Sequence, residues 1–370
     1  MKNKKVCHIS IVHKKNDIRI FHKECISLAK AGYDVTYLTS YNVDQYIQGV
    51  HILGINLNKK LGKLYRYIFG DRKIIKKALN LKSDVYHIHD PELIRFAKKL
   101  KKNNSKVIYD SHENTPMQIL EKEWIPKFWR HKISIIADKI EISNIKYCDM
   151  IFAVADSTCD RFHNYKHNVI KLENLPILKE FEDITIDYNI KNEKNIFCYS
   201  GAIWNERGLQ NTCFSVEGIS NCKLQIAGRI DINNIRDYIN KLPINTFYLG
   251  YLTRNEIHKL YENSICGLCL FLPYPNNMID PPTKIYEYMA AGIPTICSNF
   301  KSMEDVVLKN KCGISVNPEN IEEIKNAIKY ILEHKDEARQ MGENGLEAIK
   351  NKLNWETHER VLLDAYGSLK

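Results

Sequence analysis

The segment Asp280-Pro-Pro-Thr-Lys-Ile-Tyr-Glu-Tyr-Met-Ala-Ala-Gly-Ile-Pro-Thr-Ile-Cys297 concentrates residues that could handle an anion. Two prolines and Thr283 open a short helical run, and Gly292-Ile-Pro294 closes it before an apolar strand. Proline at the start and glycine past the end are the expected helix punctuation. Lys284 and Glu287 stand three apart and therefore share a helix face. A helix N-terminus already carries free N–H groups and a positive dipole end, so a cation there calls for an anion beside it. This pattern predicts a phosphate near Thr283 and Lys284, with the Glu287 carboxylate one turn deeper to take ribose hydroxyls. A solvated amphipathic helix is the plainer alternative.

Other segments offer weaker signals. Gly201-Ala-Ile-Trp-Asn-Glu-Arg207-Gly208 follows a strand-like run and could cradle an anion, although Arg207 would serve equally as a surface residue. Leu224-Gln-Ile-Ala-Gly228 and Phe247-Tyr-Leu-Gly250-Tyr251-Leu252 are strands ending in glycine turns. In the first half, Asp17 either caps a helix or meets a ligand, while His87-Ile-His89-Asp90 and Tyr109-Asp110-Ser-His112 place polar groups at strand ends. Histidines beside carboxylates invite a metal reading. Spacing across two loops does not establish one, and none is assigned. Asp280 is a good helix cap before two prolines, in competition with any ligand role.

These residues need a scaffold, and the pattern supplies one. Strands are predicted at 6–12, 35–38, 84–88, 106–109, 150–154 and 169–172, with helices at 20–31, 93–101 and 133–146. The alternation resumes with strands at 196–200, 224–227, 246–249, 267–272, 295–296 and 313–316, then helices at 320–334, 337–350 and 355–368. Such alternation implies α/β domains, each a parallel sheet covered on both faces. The polar stretch 179–194 is the expected linker. The expected organisation is one Rossmann-like domain over 1–183, a second over 184–352, and a terminal helix over 353–370. Two doubly wound domains would face a cleft, since ligands bind beyond the strand C-termini.

The chain has 370 residues, enough for two domains. No run reaches the ~20 apolar residues of a membrane span, and the N-terminal apolar run reads as a buried strand rather than a signal peptide. Eleven cysteines without paired spacing suit buried thiols in the cytoplasm, and Cys266-Gly-Leu-Cys269 reads as part of a strand. Residues 1–185 hold 33 Lys and Arg against 21 Asp and Glu, a net of +12, while the remainder carries −2. The basic stretch Lys59, Lys60, Lys63, Arg66, Arg72, Lys73, Lys76 and Lys77 alternates with Leu61, Leu64, Ile68, Ile74 and Ile75. Such a stretch could rest on an anionic bilayer or form a solvated face. Nucleic acid is not expected, because no recognition motif accompanies the charge.

Lys284-Ile-Tyr-Glu287-Tyr-Met-Ala-Ala-Gly292-Ile-Pro294 resembles the nucleotide-sugar motif of glycosyltransferase family 4, the retaining GT-B enzymes. Arg207 then matches the basic residue of the family's glycine–basic–glycine loop, between Gly201 and Gly208, which holds the donor diphosphate. A second cation common after the first glycine is replaced by Ala202. The resemblance assigns Gly228, Tyr251 and Leu252 to backbone and base contacts, and His112 to the donor sugar. The first glutamate of the family's pair falls on Ile279, with Asp280 beside it as a substitute. Asp17 and Asp90 are the remaining sugar or acceptor candidates.

The resemblance implies metal-independent sugar transfer from a UDP- or GDP-linked donor, with no cofactor. It also makes 1–183 the acceptor-binding domain and 184–352 the nucleotide-sugar-binding domain, with the helix 353–370 crossing back to the first. The net of +12 in the first half then suits a polyprenyl diphosphate-linked glycan of a capsule or O-antigen as acceptor, at the inner face of the membrane. A nucleotide-sugar 2-epimerase and a non-catalytic nucleotide-sugar-binding subunit are the rival readings.

Overall fold

Strands that are apolar on both faces are satisfied only between two layers of helix. Most strands of this protein are of that kind: Ile196–Ser200 and Ser264–Cys269 are buried at every residue. The structure, a computed structural model, describes residues 4–57, 65–102, 104–122, 125–165, 168–203, 207–230 and 241–369. It divides into two compact units, Met1–Asn174 with Glu356–Lys370, and Leu175–Trp355.

The first unit holds an eight-stranded sheet of β1 (Lys5–Ile9), β2 (Asp34–Thr39), β3 (Asp44–Ile47), β4 (Val50–Gly54), β5 (Val85–Ile88), β6 (Lys106–Ser111), β7 (Met150–Ala153) and β8 (Val169–Lys171). Its order is β3-β4-β2-β1-β5-β6-β7-β8, parallel except for the β3–β4 pair. The second unit holds β9 (Ile196–Ser200), β10 (Lys223–Ala227), β11 (Thr246–Gly250), β12 (Ser264–Cys269), β13 (Thr295–Ser298) and β14 (Gly313–Val316). The order here is β11-β10-β9-β12-β13-β14, all parallel. Both sheets are doubly wound. In each, the strand order reverses once, between β1 and β5 and between β9 and β12, and the strand ends there are where such sheets take ligands.

The helix Trp355–Ser368 belongs from Glu356 onward to the first unit. Lys4 Nζ donates to the Leu369 carbonyl at 2.8 Å, and the fully buried Tyr366 lies against His87.

Several elements depart from the sequence reading. β3 and β4 form a hairpin that was not anticipated, closed by Gln48 and Gly49, both with positive φ. The polar stretch 179–194, expected as the linker, lies within the second unit. It carries the helices Leu178–Phe181 and Tyr188–Lys194, and buried Lys191 donates to the carbonyls of Tyr261 and Ser264.

Of the basic stretch that could rest on a bilayer or form a solvated face, residues 59–64 fall outside the described residues. Farther on, Ile74 and Ile75 of the helix Asp71–Leu81 point into the core, and Arg66 is paired with Glu92. That helix turns its apolar side inward, so it offers no apolar face to lipid. Among the described residues, all eleven cysteines are free and buried, Cys266 and Cys269 on β12 included.

Candidate functional site

In the second unit, β9, β10 and β11 end side by side in glycine. Gly201 N donates to the Ala227 carbonyl at 2.9 Å, and Gly228 N to the Gly250 carbonyl at 2.8 Å. Gly228 has a φ of +146°, and a Cβ built on it would lie 1.7 Å from the Gly201 carbonyl oxygen. Gly208, with φ +65°, enters the helix Leu209–Val216, where a Cβ would stand 1.9 Å from the Leu270 carbonyl oxygen. Only glycine fits either place. The result is a strip of bare backbone at the β9–β12 reversal.

Beside this strip stand both predicted cations. The helix Thr283–Ala290 places Lys284 with its Nζ 3.8 Å from the centroid of the Tyr199 ring and 5.0 Å from that of Phe271. Arg207 Cζ lies over the same Phe271 ring at 4.0 Å. Lys284 is 8% exposed. Burial drives its pKa down to about 7, and the nearby Arg207 charge pushes the same way. Aromatic faces attract cations, but two like charges on one ring repel each other. A bound polyanion would relieve both the burial and the repulsion. Pro282, the residue before this helix, gives it no side-chain cap, and Thr283 is exposed at its first position.

Glu287 sits one turn on from Lys284, but turned to other partners. Arg254 Nη1 donates to its Oε1 at 2.6 Å and Tyr261 Oη to its Oε2 at 2.9 Å. Tyr261 Oη also meets Ser200 Oγ at 2.6 Å, so the carboxylate is tied to the end of β9. Tyr251 is exposed after β11, and half-buried Leu252 packs on the second unit's core. Asp280 follows the helix Pro275–Ile279 at its C-terminal boundary, three residues before the helix Thr283–Ala290.

In the first unit, the other predicted residues gather at the β1–β5 reversal. Asp17 caps the helix Ile18–Cys25, its Oδ1 accepting from Arg19 N and Ile20 N at 3.0 Å, while its Oδ2 meets His13 Nδ1 at 3.2 Å. Burial opposes its charge, yet the His13 contact and the Ile20 N–H hold its pKa well below the usual carboxylate range. Asp90 is buried and accepts from Ile11 N at 2.5 Å and Ser10 Oγ at 3.1 Å, which fixes the loop after β1. Burial, aided by Glu92, lifts its pKa to about 6.

His112 Nε2 lies 2.8 Å from Asp110 Oδ2, and its ring is 4.8 Å from that of His13. Burial lowers the His112 pKa against the pull of Asp110. Arg19 holds Asp110 from the other side, with Nε and Nη2 donating at 2.8 and 2.7 Å. Burial opposes the Asp110 charge, but Arg19 and His112 keep it ionised.

The sequence reading missed Tyr199, Phe271, Arg254, Tyr261, His13 and Arg19 as supporting groups, and named Asp110 only as a polar group at a strand end. A signal existed for one of them. Thr253-Arg-Asn-Glu256 is a capping box, observed with both reciprocal bonds, and it fixes the start of the helix from which Arg254 reaches Glu287.

Comparison with known proteins places both units. Residues 20–172 match the family model "Glycosyltransferase Family 4" and residues 180–348 match "Glycosyl transferases group 1". A sucrose-phosphate synthase from Thermosynechococcus elongatus has the same fold, with TM-score 0.82 at 16% identity over 99% of each chain. Anabaena HepE in complex with UDP-glucose superposes with TM-score 0.71 at 11% identity, covering 98% of this chain and 99% of that one.

In sequence, the chain is 31% identical over 78 residues to the GDP-mannose-dependent alpha-(1-6)-phosphatidylinositol monomannoside mannosyltransferase of Mycobacterium tuberculosis, 21% of this chain and 20% of that protein. The chain spans less than half the length of the curated relatives it matches.

Proposed function

The chain belongs to the group 1 glycosyl transferases, with a family 4 first domain and the GT-B fold, and from that premise we propose that it transfers a sugar from a UDP- or GDP-linked donor to a glycan acceptor with retention of configuration. The observation that carries the reading is the pairing of Lys284 and Arg207 on the Phe271 ring beside the glycine strip. Departure of a nucleoside diphosphate builds negative charge on its phosphates. Cations fixed in advance where that charge grows lower the barrier more than they tighten ground-state binding.

In this reading the second unit is the donor domain. The backbone at Gly201, Gly208 and Gly228 lets the diphosphate approach. Thr283 and Lys284 meet it at the helix start, Glu287 takes ribose hydroxyls, and Tyr251 with Leu252 borders the base. His112 is the candidate for the donor-sugar hydroxyls, and Asp280 stands in for the family's missing glutamate. Asp17 and Asp90 shape the acceptor side, chiefly by holding the loop after β1 in place. The acceptor hydroxyl attacks the anomeric carbon on the face that the diphosphate leaves, and its proton passes to the departing phosphate oxygen. Two protein cations in this role fit a reaction that needs no metal.

The test is nucleotide release from UDP- and GDP-sugars, with and without a polyprenyl diphosphate glycan. Acceptor-dependent release is expected. Solvent deuterium in recovered donor without an acceptor would instead indicate a 2-epimerase, and binding without turnover a non-catalytic subunit.

A second test follows from the Lys284 pKa of about 7. At pH 8 the free protein holds this lysine largely neutral, and a bound diphosphate favours its charged form. UDP or GDP binding should therefore take up a substantial fraction of a proton at pH 8, and affinity should fall as pH rises above 7. Calorimetry in buffers of different ionisation enthalpy reads this directly, and the uptake should vanish in Lys284→Gln.

The acceptor-side proposal includes an anionic membrane surface. No described helix is long and apolar enough to cross a membrane. The helix Lys127–Ile145, however, leaves Phe128 73%, Trp129 48% and Ile136 55% exposed, with Ile133 and Ile135 beside them. Lys127, Lys132 and Lys139 share this helix, and Lys132 Nζ lies 5.2 Å from the Trp129 ring. Aromatic and aliphatic side chains among lysines suit an anionic headgroup layer. Trp129→Glu with Ile136→Glu should reduce partition to anionic vesicles at least tenfold without changing the melting temperature. Partition unaffected by these changes and by salt would remove the membrane from the proposal.

A further inference from the structure

We propose that His8, His87, His89 and Glu24 form a closed site for a divalent transition-metal ion, with Zn2+ the best match, in the centre of the first unit. His8 on β1 is in register with His87 on β5, and His89 follows two residues later. Glu24 comes from the helix Ile18–Cys25, which has the wide π winding. In that winding the backbone bonds join residues five apart, which brings Glu24 back beneath Arg19.

The donor atoms converge from different elements. Glu24 Oε2 lies 3.8 Å from His8 Nδ1, 3.8 Å from His87 Nδ1 and 3.9 Å from His89 Nε2. His8 Nδ1 and His89 Nε2 are 2.8 Å apart. Four ligands held at ~2.0–2.1 Å in a tetrahedron stand ~3.4 Å from one another, which falls inside the observed range. All four donors lie within 4.8 Å of one another, so an ion at the centre would draw the farther ones inward.

The second observation is the state of Glu24. Its side chain is 0% exposed, and neither carboxylate oxygen has a hydrogen-bond partner. Arg19 Nε comes within 3.1 Å of Oε1. That guanidinium is nevertheless directed elsewhere, donating twice to Asp110 and once, from Nη1, to the Leu172 carbonyl at 2.8 Å. An unsatisfied carboxyl group in a dry interior is costly, and Arg19, the cation beside it, is shared with the neighbouring Asp110 carboxylate. A divalent cation would balance the second charge.

The surroundings follow the outer arrangement of metal-bound histidine, in which the second ring nitrogen meets a carboxylate or hydroxyl. His89 Nδ1 is 3.3 Å from Asp110 Oδ2, and Tyr366 Oη is 3.4 Å from His8 Nε2. His87 departs from that arrangement: Tyr366 Oη sits 2.8 Å from Nδ1, the nitrogen that faces Glu24, and Nε2 has no hydrogen-bond partner, so ligation through Nδ1 requires the Tyr366 hydroxyl to give way.

Imidazole and carboxylate donors without an open face suit a structural ion. It would clamp β1, β5 and the helix Ile18–Cys25 together, and so hold the Arg19–Asp110–His112 chain in place. His8, His87 and Glu24 play no part in the transfer reaction proposed above, so this assignment stands apart from it.

The test uses the full chain purified without a metal-affinity step. Elemental analysis should find about one equivalent of zinc or another transition metal. Extraction with a strong chelator should lower the melting temperature by several degrees, and Zn2+ should restore it. Co2+ in its place should give the visible absorption of a four-coordinate ion. Glu24→Gln and His87→Gln should each weaken Zn2+ binding at least ~100-fold, beyond the 10–100-fold typical of losing an outer partner, while UDP or GDP protection persists. Two results overturn the proposal. One is wild-type protein free of metal whose melting temperature and spectrum ignore added Zn2+ and Co2+. The other is a stoichiometric ion retained by both variants. Because the wild-type measurements decide the matter, a variant that fails to fold does not.

Discussion

Lys284→Ala is expected to lower turnover by ~10²–10³, as loss of one preorganised charge at a developing anion typically does. Its effect on kcat should exceed its effect on KM, because the diphosphate becomes most negative as the sugar leaves. The free protein should fold as well as the parent. Burial already disfavours this ammonium, whose pKa is drawn down to about 7, and removing it relieves the repulsion with Arg207. Loss of activity with stability held or raised would distinguish a working cation from a structural one. Arg207→Ala should behave alike, and the double variant should lose less than the product of the two because both act on one leaving group. Steady-state kinetics with a matched acceptor, beside a thermal melt, gives both readings. Near-parental turnover in Lys284→Ala would end the donor-site assignment.

The second large effect is on stability. Gly228→Ala should cost about 3 kcal/mol, since left-handed strain and backbone overpacking each cost on the order of 1–3 kcal/mol. The methyl would stand 1.7 Å from the Gly201 carbonyl oxygen and 2.7 Å from its carbon, at a φ of +146°. No rotamer relieves a clash between backbones, so β9 and β10 would have to separate. Gly218 is the internal control, because it also has positive φ, at +75°, but a Cβ there meets nothing within 4 Å. Gly218→Ala should therefore cost only about 1 kcal/mol. Urea unfolding of the two variants side by side reads the contrast. Equal midpoints would mean that the strip at Gly228 is not as tight as drawn.

The alternation of apolar strands and helices was enough to place most of both sheets, because a parallel strand buried on both faces announces itself as a continuous apolar run. Ile196–Ser200 and Met150–Ala153 are such runs. The hairpin of β3 and β4 was hidden for the opposite reason. Gln45, Tyr46 and Ile47 lie at an edge with exposed or half-buried side chains, and Gln48-Gly49 is not among the strongest turn signals. Composition also misled at 179–194, where a charged sequence hides the short helix that buries Lys191.

In the site, Lys284 was legible because helix punctuation fixes its place. Its aromatic floor was not, since Tyr199 lies on β9 and Phe271 just past β12, strands distant in sequence and adjacent only after pairing. The histidine cluster was invisible for the same reason. His8 and His87 meet through the β1–β5 register, and Glu24 reaches them through a helical winding that local sequence does not foretell.

The discontinuity of the first unit has a consequence for biosynthesis. Its sheet is made from residues up to Asn174, yet Tyr366, which touches the histidines at its heart, arrives only after the whole of Leu175–Trp355 has been translated. Domains emerging from the ribosome generally fold in order of appearance. Here the earlier one would remain unfinished, with its histidine-lined interior open, until the later one has formed. The interval between those events is when a metal could enter, and when a chaperone would find the nascent chain most exposed.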